Sequence, residues 1–230
     1  MRTEVVAAKR RILLFAKRSW FCQQAVAIAR SLFGDELEVF TGDVGDPLPR
    51  FRGSADFLIS FLSPWIVPQA MLDQCRVAIN FHPGSSDYPG IGCYNFALYE
   101  EAAEFGAVCH HMWRKVDTGP IIEERRFPIF PQDTVESLKL RTMATMLSMF
   151  HDVLCQIARN QNLPTPEVRW KRRPFTRRQM EALKELTHSM EPAEIERRVR
   201  ATTYPGYPGP FMTGNGEVAF FPVPDRPPLA

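Results

Sequence analysis

Before residue 160 the chain alternates short, unbroken apolar runs with stretches of helical period, and this pattern narrows the fold more than any other feature. Residues 12–16, Ile-Leu-Leu-Phe-Ala, contain no polar side chain, as a strand buried on both faces requires. Residues 22–33 then repeat apolar positions at helical spacing through Ala25, Val26, Ile28, Ala29 and Leu32. Residues 37–40, 56–61 and 76–81 read as further strands, with a short helix over 69–74 between the last two. Strands and helices in this order predict an α/β fold, a mainly parallel sheet flanked by helices and joined by right-handed crossovers. Residues 93–105 form a helix by period. Residues 106–113 and 121–129 read as extended and flank Val116-Asp117-Thr118-Gly119-Pro120, which predicts a hairpin. Asp133 followed by Glu136 has capping-box spacing and opens a long helix to about residue 159.

Past residue 160 the texture changes. Asn-Gln-Asn-Leu-Pro-Thr-Pro has the composition of a linker, so residues 1–165 read as the main domain and 166–230 as a small C-terminal extension. That extension carries helical periods over 176–190 and 192–200. It closes with a hairpin in which residues 211–213 and 217–221 bracket Gly214-Asn215-Gly216. A chain of 230 residues suits one domain with an appendage. The apolar run near the start is too short for a membrane span or a signal peptide. Five cysteines, none in a Cys-x-x-Cys pair, suit neither a disulfide framework nor a zinc site, and point to a reducing cytoplasm. The net charge of +2 offers no global attraction for nucleic acid. Locally, Arg169, Lys171, Arg172, Arg173, Arg177 and Arg178 form a basic run suited to phosphate.

The turn after the first strand is Lys17-Arg18-Ser19-Trp20. It has no glycine, and no Walker-type loop occurs, which excludes the NAD and P-loop enzymes. Asn80-Phe81-His82-Pro83-Gly84 closes an apolar strand and sends Asn80 and His82 to one side, at the end of the sheet where open α/β folds hold ligands. An amide and a titratable imidazole side by side can hold a developing oxyanion. Asp117, in a Gly-closed turn, is placed to reach the histidine, although Asp-x-Gly is also an everyday turn in which Asp caps its own backbone. His110 and His111 face opposite ways on a strand and, lacking a third ligand, read as one buried and one exposed residue. No metal is expected.

Asn80-x-His82-Pro83-Gly84, Tyr88-Pro89-Gly90-Ile91-Gly92, Gly106 to His110 and Asp117-Thr118-Gly119-Pro120-Ile121-Ile122 together resemble the formyltransferase family that uses 10-formyltetrahydrofolate, over about residues 55–150. The resemblance implies a Rossmann-like sheet, a catalytic triad of Asn80, His82 and Asp117, and a folate site. In that site Ser63, Trp65 and Ile66 come from a pterin-wrapping loop, joined by Thr118 and Gly119. Tyr88 to Tyr99, residues 17–22 and the tail 198–211 look most similar to the nucleotide-sugar N-formyltransferases. This implies a nucleotide-linked amino sugar, favoured as a 4-amino-4,6-dideoxy sugar, as the acceptor. Lys17, Arg18, Trp20, Gly90 and Tyr94 would bind it, during O-antigen and lipopolysaccharide synthesis. The terminal hairpin carries more apolar surface than an isolated pair of strands can use, which predicts packing across a two-fold axis in a homodimer. A glycinamide ribonucleotide or methionyl-tRNA acceptor, and a folate-binding protein without turnover, remain as alternatives.

Overall fold

Ile12–Lys17 (β1) has no side chain with meaningful solvent exposure before Lys17, because both of its faces are covered and strands pair along both edges. It pairs in parallel with Leu37–Gly42 (β2) and Ala55–Phe61 (β3), and β3 in turn with Cys75–His82 (β4). Glu104–His111 (β5) and Ile121–Pro128 (β6) continue the sheet as an antiparallel hairpin, giving the order β2-β1-β3-β4-β5-β6. The computed structural model describes residues 9–214, 217–222 and 227. The α/β, Rossmann-like reading holds, with β5 the one reversed strand of the six.

Alternation along the strands splits the core in two. Trp20–Phe33 (α1) and Val135–Ala158 (α4) cover one face, packing on Ile12, Leu14, Ile59, Phe61, Ile79 and Phe81. Leu13, Phe15 and Leu58 face the other way, toward Val67 and Leu72 beside the single-turn helix Gln69–Leu72 (α2). Asn80 and His82 fall on this second face by the two-residue period, away from the long helices.

Several element boundaries differ from expectation. The helix expected over 93–105 is Cys93–Tyr99 (α3). Glu101 then takes a left-handed φ of 52° and turns the chain into β5. Thr134, not Asp133, caps α4, exchanging hydrogen bonds with Ser137 in a capping box. Asp133 instead accepts from Ser137 Oγ and pairs with Arg141.

Residues 170–175 return to the sheet domain as a strap. The amide of Lys171 donates to Ser86, that of Phe175 to Pro89, and Ile91 donates back to Phe175. The Phe175 ring stacks on Phe96, their centroids 3.8 Å apart. The helix expected over 176–190 stops early, as Arg177–Lys184 (α5), because Glu185–Leu186 (β7) pairs with Phe211–Gly214 (β8). Glu217–Phe220 (β9) completes a three-stranded sheet after Pro192–Thr202 (α6). The terminal hairpin is therefore present, while Asn215 and Gly216 of its expected turn lie outside the described residues. No helix among the described residues is long and apolar enough to cross a membrane.

Candidate active site

Asn80 and His82 leave the end of β4, and the β5–β6 turn brings Asp117 up to them. Asp117 is 4% exposed and takes a left-handed φ of 49°, a conformation Asp tolerates better than most residues. Both of its carboxylate oxygens are engaged, with one acceptor position on Oδ1 left over. Oδ2 lies 3.2 Å from His82 Nδ1 and accepts the Gly90 amide at 2.9 Å, while Oδ1 lies 3.2 Å from His110 Nε2. Burial alone pushes this carboxyl up. The His82 charge, the hydrogen bond and charge of His110 and the Gly90 amide outweigh it and hold the group well below the usual carboxylate range.

Both ring nitrogens of His82 face acceptors, Nδ1 the carboxylate and Nε2 the Tyr88 carbonyl at 3.0 Å. Only an imidazolium has a donor for each. Gly84 makes the second contact possible, since a Cβ there would sit 2.6 Å from His82 Nε2 and 2.9 Å from the Tyr88 oxygen.

His110 is the residue whose role the sequence hid. It is buried and lies directly opposite Asn80 in the β4–β5 ladder, so their side chains share a face. Its Nδ1–H donates to the His111 carbonyl at 2.8 Å. Nε2 is left to accept from the Asn80 amide at 3.1 Å when neutral, or to donate to Asp117 when protonated. The available signal was strand parity: an antiparallel hairpin turning at 116–120 puts one of the two histidines on the face of Asn80.

A cavity of about 170 Å³ opens above this cluster, lined by Asn80, His110 and Asp117 on its polar floor and by Ser63, Trp65, Ile66, Met112 and Val116 on its walls. Trp65 is held by its Nε1–H donating to the Asp46 carbonyl at 3.0 Å, and Ser63 Oγ accepts the Trp65 amide. Ile66 is 75% exposed at the rim. Three expected cofactor residues thus line the cavity and two do not. Thr118 Oγ1 donates to the Lys115 carbonyl, and Gly119 is pressed against the His111 backbone. His82 also departs from expectation: it does not share the open side with Asn80 but sits behind Asp117, its outer nitrogen covered by the Tyr88 carbonyl.

The expected acceptor residues scatter. Arg18 is committed to Asp43 and Asp46, at 3.1 and 2.9 Å. Gly90 gives its amide to Asp117 and lies against the Phe175 backbone, where no side chain fits. Tyr94 is packed beside Phe105 with its hydroxyl buried and unpaired among the described residues. Trp20 is well exposed at the start of α1, and Lys17 is half-buried at the end of β1.

The comparisons with known proteins bear on this arrangement. The family model described as formyl transferase matches residues 48–154. Phosphoribosylglycinamide formyltransferase of Haemophilus influenzae is 34% identical over 120 residues, 52% of this chain and 55% of that protein. The chain spans about half the length of the curated relatives it matches. A 4-N formyltransferase from Francisella tularensis superposes with a TM-score of 0.75 at 16% identity, covering 93% of this chain and 97% of that one. An N-formyltransferase from Helicobacter canadensis, in complex with folinic acid and dTDP-3-aminofucose, superposes with a TM-score of 0.66 at 16% identity, covering 84% and 80%. At those identities the two structures establish a shared fold.

Proposed function

We propose, for a chain whose residues 48–154 match the formyl transferase family model, that it transfers a formyl group from 10-formyltetrahydrofolate to the amine of a nucleotide-linked amino sugar. The observation that carries this reading is the Asp117 carboxylate. Two histidines and an amide hold it beside Asn80, at the floor of a cavity whose walls are mainly apolar and also carry Arg114 and Lys115. Such walls suit a flat heteroaromatic ring, with few polar groups to orient it.

In this mechanism the uncharged amine attacks the formyl carbon and an oxyanion develops on the formyl oxygen. Asn80 Nδ2–H and His82 Nε2–H stabilise it. The His82 donor exchanges the neutral Tyr88 carbonyl for an anion, and a charge-assisted bond is the stronger of the two. Asp117 fixes the His82 ring and, through water, relays the amine's proton to the leaving folate nitrogen as the C–N bond breaks, so the proton lost by the amine is the one the folate gains. His110 Nε2 lies within reach of both the second carboxylate oxygen and the Asn80 amide, and holds one or the other according to its protonation. Folate is the formyl donor and a co-substrate in this scheme, which calls on no metal.

The acceptor would lie on the Lys17 and Trp20 side, where a cation and an exposed indole meet phosphate and a sugar or base; Arg18 is spent on its two aspartates. The sequence similarity of the 198–211 tail and the fold shared with the 4-N and dTDP-3-aminofucose enzymes favour a sugar acceptor, used in O-antigen synthesis by a homodimer. The five cysteines are free, which supports a reducing cytoplasm. The 34% identity to the Haemophilus enzyme supports a second reading, with glycinamide ribonucleotide as acceptor. Incubation with 10-formyltetrahydrofolate, a panel of nucleotide amino sugars and glycinamide ribonucleotide, followed by product masses, tests both. A gain of one formyl group on a sugar supports the first, and on the ribonucleotide the second. Folate binding with no formylated product overturns both.

A further inference from the structure

Trp170 lies beyond the family-matched segment, in the strap that returns from the end of α4, yet its indole stands against both histidines of the site. Its ring is nearly perpendicular to His82 and His110, at 76° and 82°, with centroids 5.8 and 5.1 Å away. Its Nε1–H donates to the Gly119 carbonyl at 2.8 Å, across 51 positions of sequence. Gly119 in turn abuts His111, since a Cβ on it would fall 1.8 Å from the His111 oxygen. That same oxygen accepts the Nδ1–H of His110. Trp170 is therefore tied through Gly119 and His111 to the far side of His110, and through the Asp117–Gly119 turn to the carboxylate both histidines share. On its own side the strap is anchored by the Lys171 amide on Ser86 and by Phe175 on Pro89 and Ile91, so the indole is held independently of the cavity.

We propose that Trp170 is a positioning residue for formyl transfer, holding the His82 and His110 rings in register on Asp117 from the side opposite the cavity. The proposal rests on the formyl-transfer reading for its kinetic arm. A ring that closes the back of the site keeps water from competing for Asp117, and a small displacement of a positioned group is enough to cost turnover. It also makes the extension part of the site, because the indole is supplied from beyond the family domain.

The test uses Trp170→Phe, which keeps a ring but loses the bond to Gly119, and Trp170→Ala, which loses both. Turnover is expected to fall roughly tenfold in the first and up to about 10²-fold in the second, with KM for folate and acceptor essentially unchanged. Low-field proton NMR supplies a readout independent of activity. The ring N–H signals of His82 and His110, assigned by their loss in His82→Ala and His110→Ala, should persist in the parent protein and broaden into water in Trp170→Ala. Should that variant fail to fold, Trp170→Phe decides. Normal turnover with sharp ring signals in a folded variant overturns the proposal. So does a fall in melting temperature alone, with kcat and the signals intact, because that is packing. If the parent protein formylates no amine, the functional reading fails by itself, and the ring signals still decide what Trp170 does.

Discussion

The carboxylate of Asp117 meets the imidazole of His82 at 3.2 Å with both side chains about 95% withdrawn from solvent. A buried carboxylate would ordinarily take up a proton to escape the cost of its charge. Here the His82 charge, His110 and the Gly90 amide reverse that preference, so the ionised form is the native one. The ion pair is thus a structural element as well as a chemical one, and the two roles separate with pH.

The acid limit of stability follows from the sign of that shift. The folded carboxyl titrates below its unfolded value, about 3.9, so it contributes stability above about pH 4 and loses it as the pH falls through the folded value. Glu194, pulled down to about 2 by Arg198, with Arg197 and Tyr99 adding to the effect, acts in the same direction but at a more exposed site. The melting temperature should therefore fall steeply below about pH 4. Asp117→Asn should flatten that slope more than Glu194→Gln does. Parallel slopes for parent and Asp117→Asn, measured by circular dichroism from pH 6 to 2, would contradict this account.

How much of this was legible in the chain depends on how local the cause is. The continuous apolar run of β1 and the two-residue spacing of Asn80 and His82 are local, and both the sheet and the face of β4 follow from them. His110 depends on the register of the antiparallel β4–β5 ladder, which pairs it with Asn80 across 30 positions of sequence and leaves no local trace. The contact of Trp170 with Gly119 spans 51 residues and leaves no periodic trace. Arg18 looked available because its two aspartates, at 43 and 46, lie across the β2–β3 loop. Thr134 and Asp133 both fit a capping pattern. The choice went to Thr134 once Ser137 stood at the third helical position and Arg141 drew Asp133 away.

Gly119 tests whether the turn is held as tightly as the geometry implies. Its missing side chain lets the Asp117–Gly119 turn close on the His111 backbone, and a methyl group would have to push that backbone aside. Gly119→Ala should cost roughly 1–3 kcal/mol of stability, read from the urea midpoint, and should also lower turnover because Asp117 moves with the turn. Unchanged stability and activity would show that the turn has slack.

The terminal hairpin leaves apolar surface uncovered. Val218 is 53% and Phe220 58% exposed on β9, while β8 is paired with β7 on its other edge. Three short strands with such a face gain by covering it with a second copy, and we expect a homodimer across this hairpin. Light scattering should give twice the chain mass, and Phe220→Glu should return the protein to monomer. A monomeric parent at working concentration would contradict this expectation.

The assignment of the chemistry is decided by comparing stability with turnover on the same variants. If Asn80 and His82 serve the oxyanion, replacing either by Ala should lower turnover roughly 10²–10³-fold and leave acceptor affinity nearly intact. Asp117→Asn should cost at least as much, because it removes together the carboxylate paired with the His82 ring and the group that relays the amine's proton. Above pH 6 Asn80→Ala should fold near normally, because Asn80 lines the open cavity, while the His82 and Asp117 variants should fold with a lowered melting temperature from the lost buried pair. A histidine that merely fills space predicts the reverse: His82→Ala would melt early and keep its activity per folded molecule. His82 packs against Trp170 and the Tyr88 carbonyl, so some loss of melting temperature is expected from the cavity alone. His82→Gln, which fills more of that space and retains an amide donor, controls for it. Near-normal turnover in a well-folded His82→Ala protein would remove His82 from the mechanism and leave His110, which already faces the cavity, as the imidazole that matters.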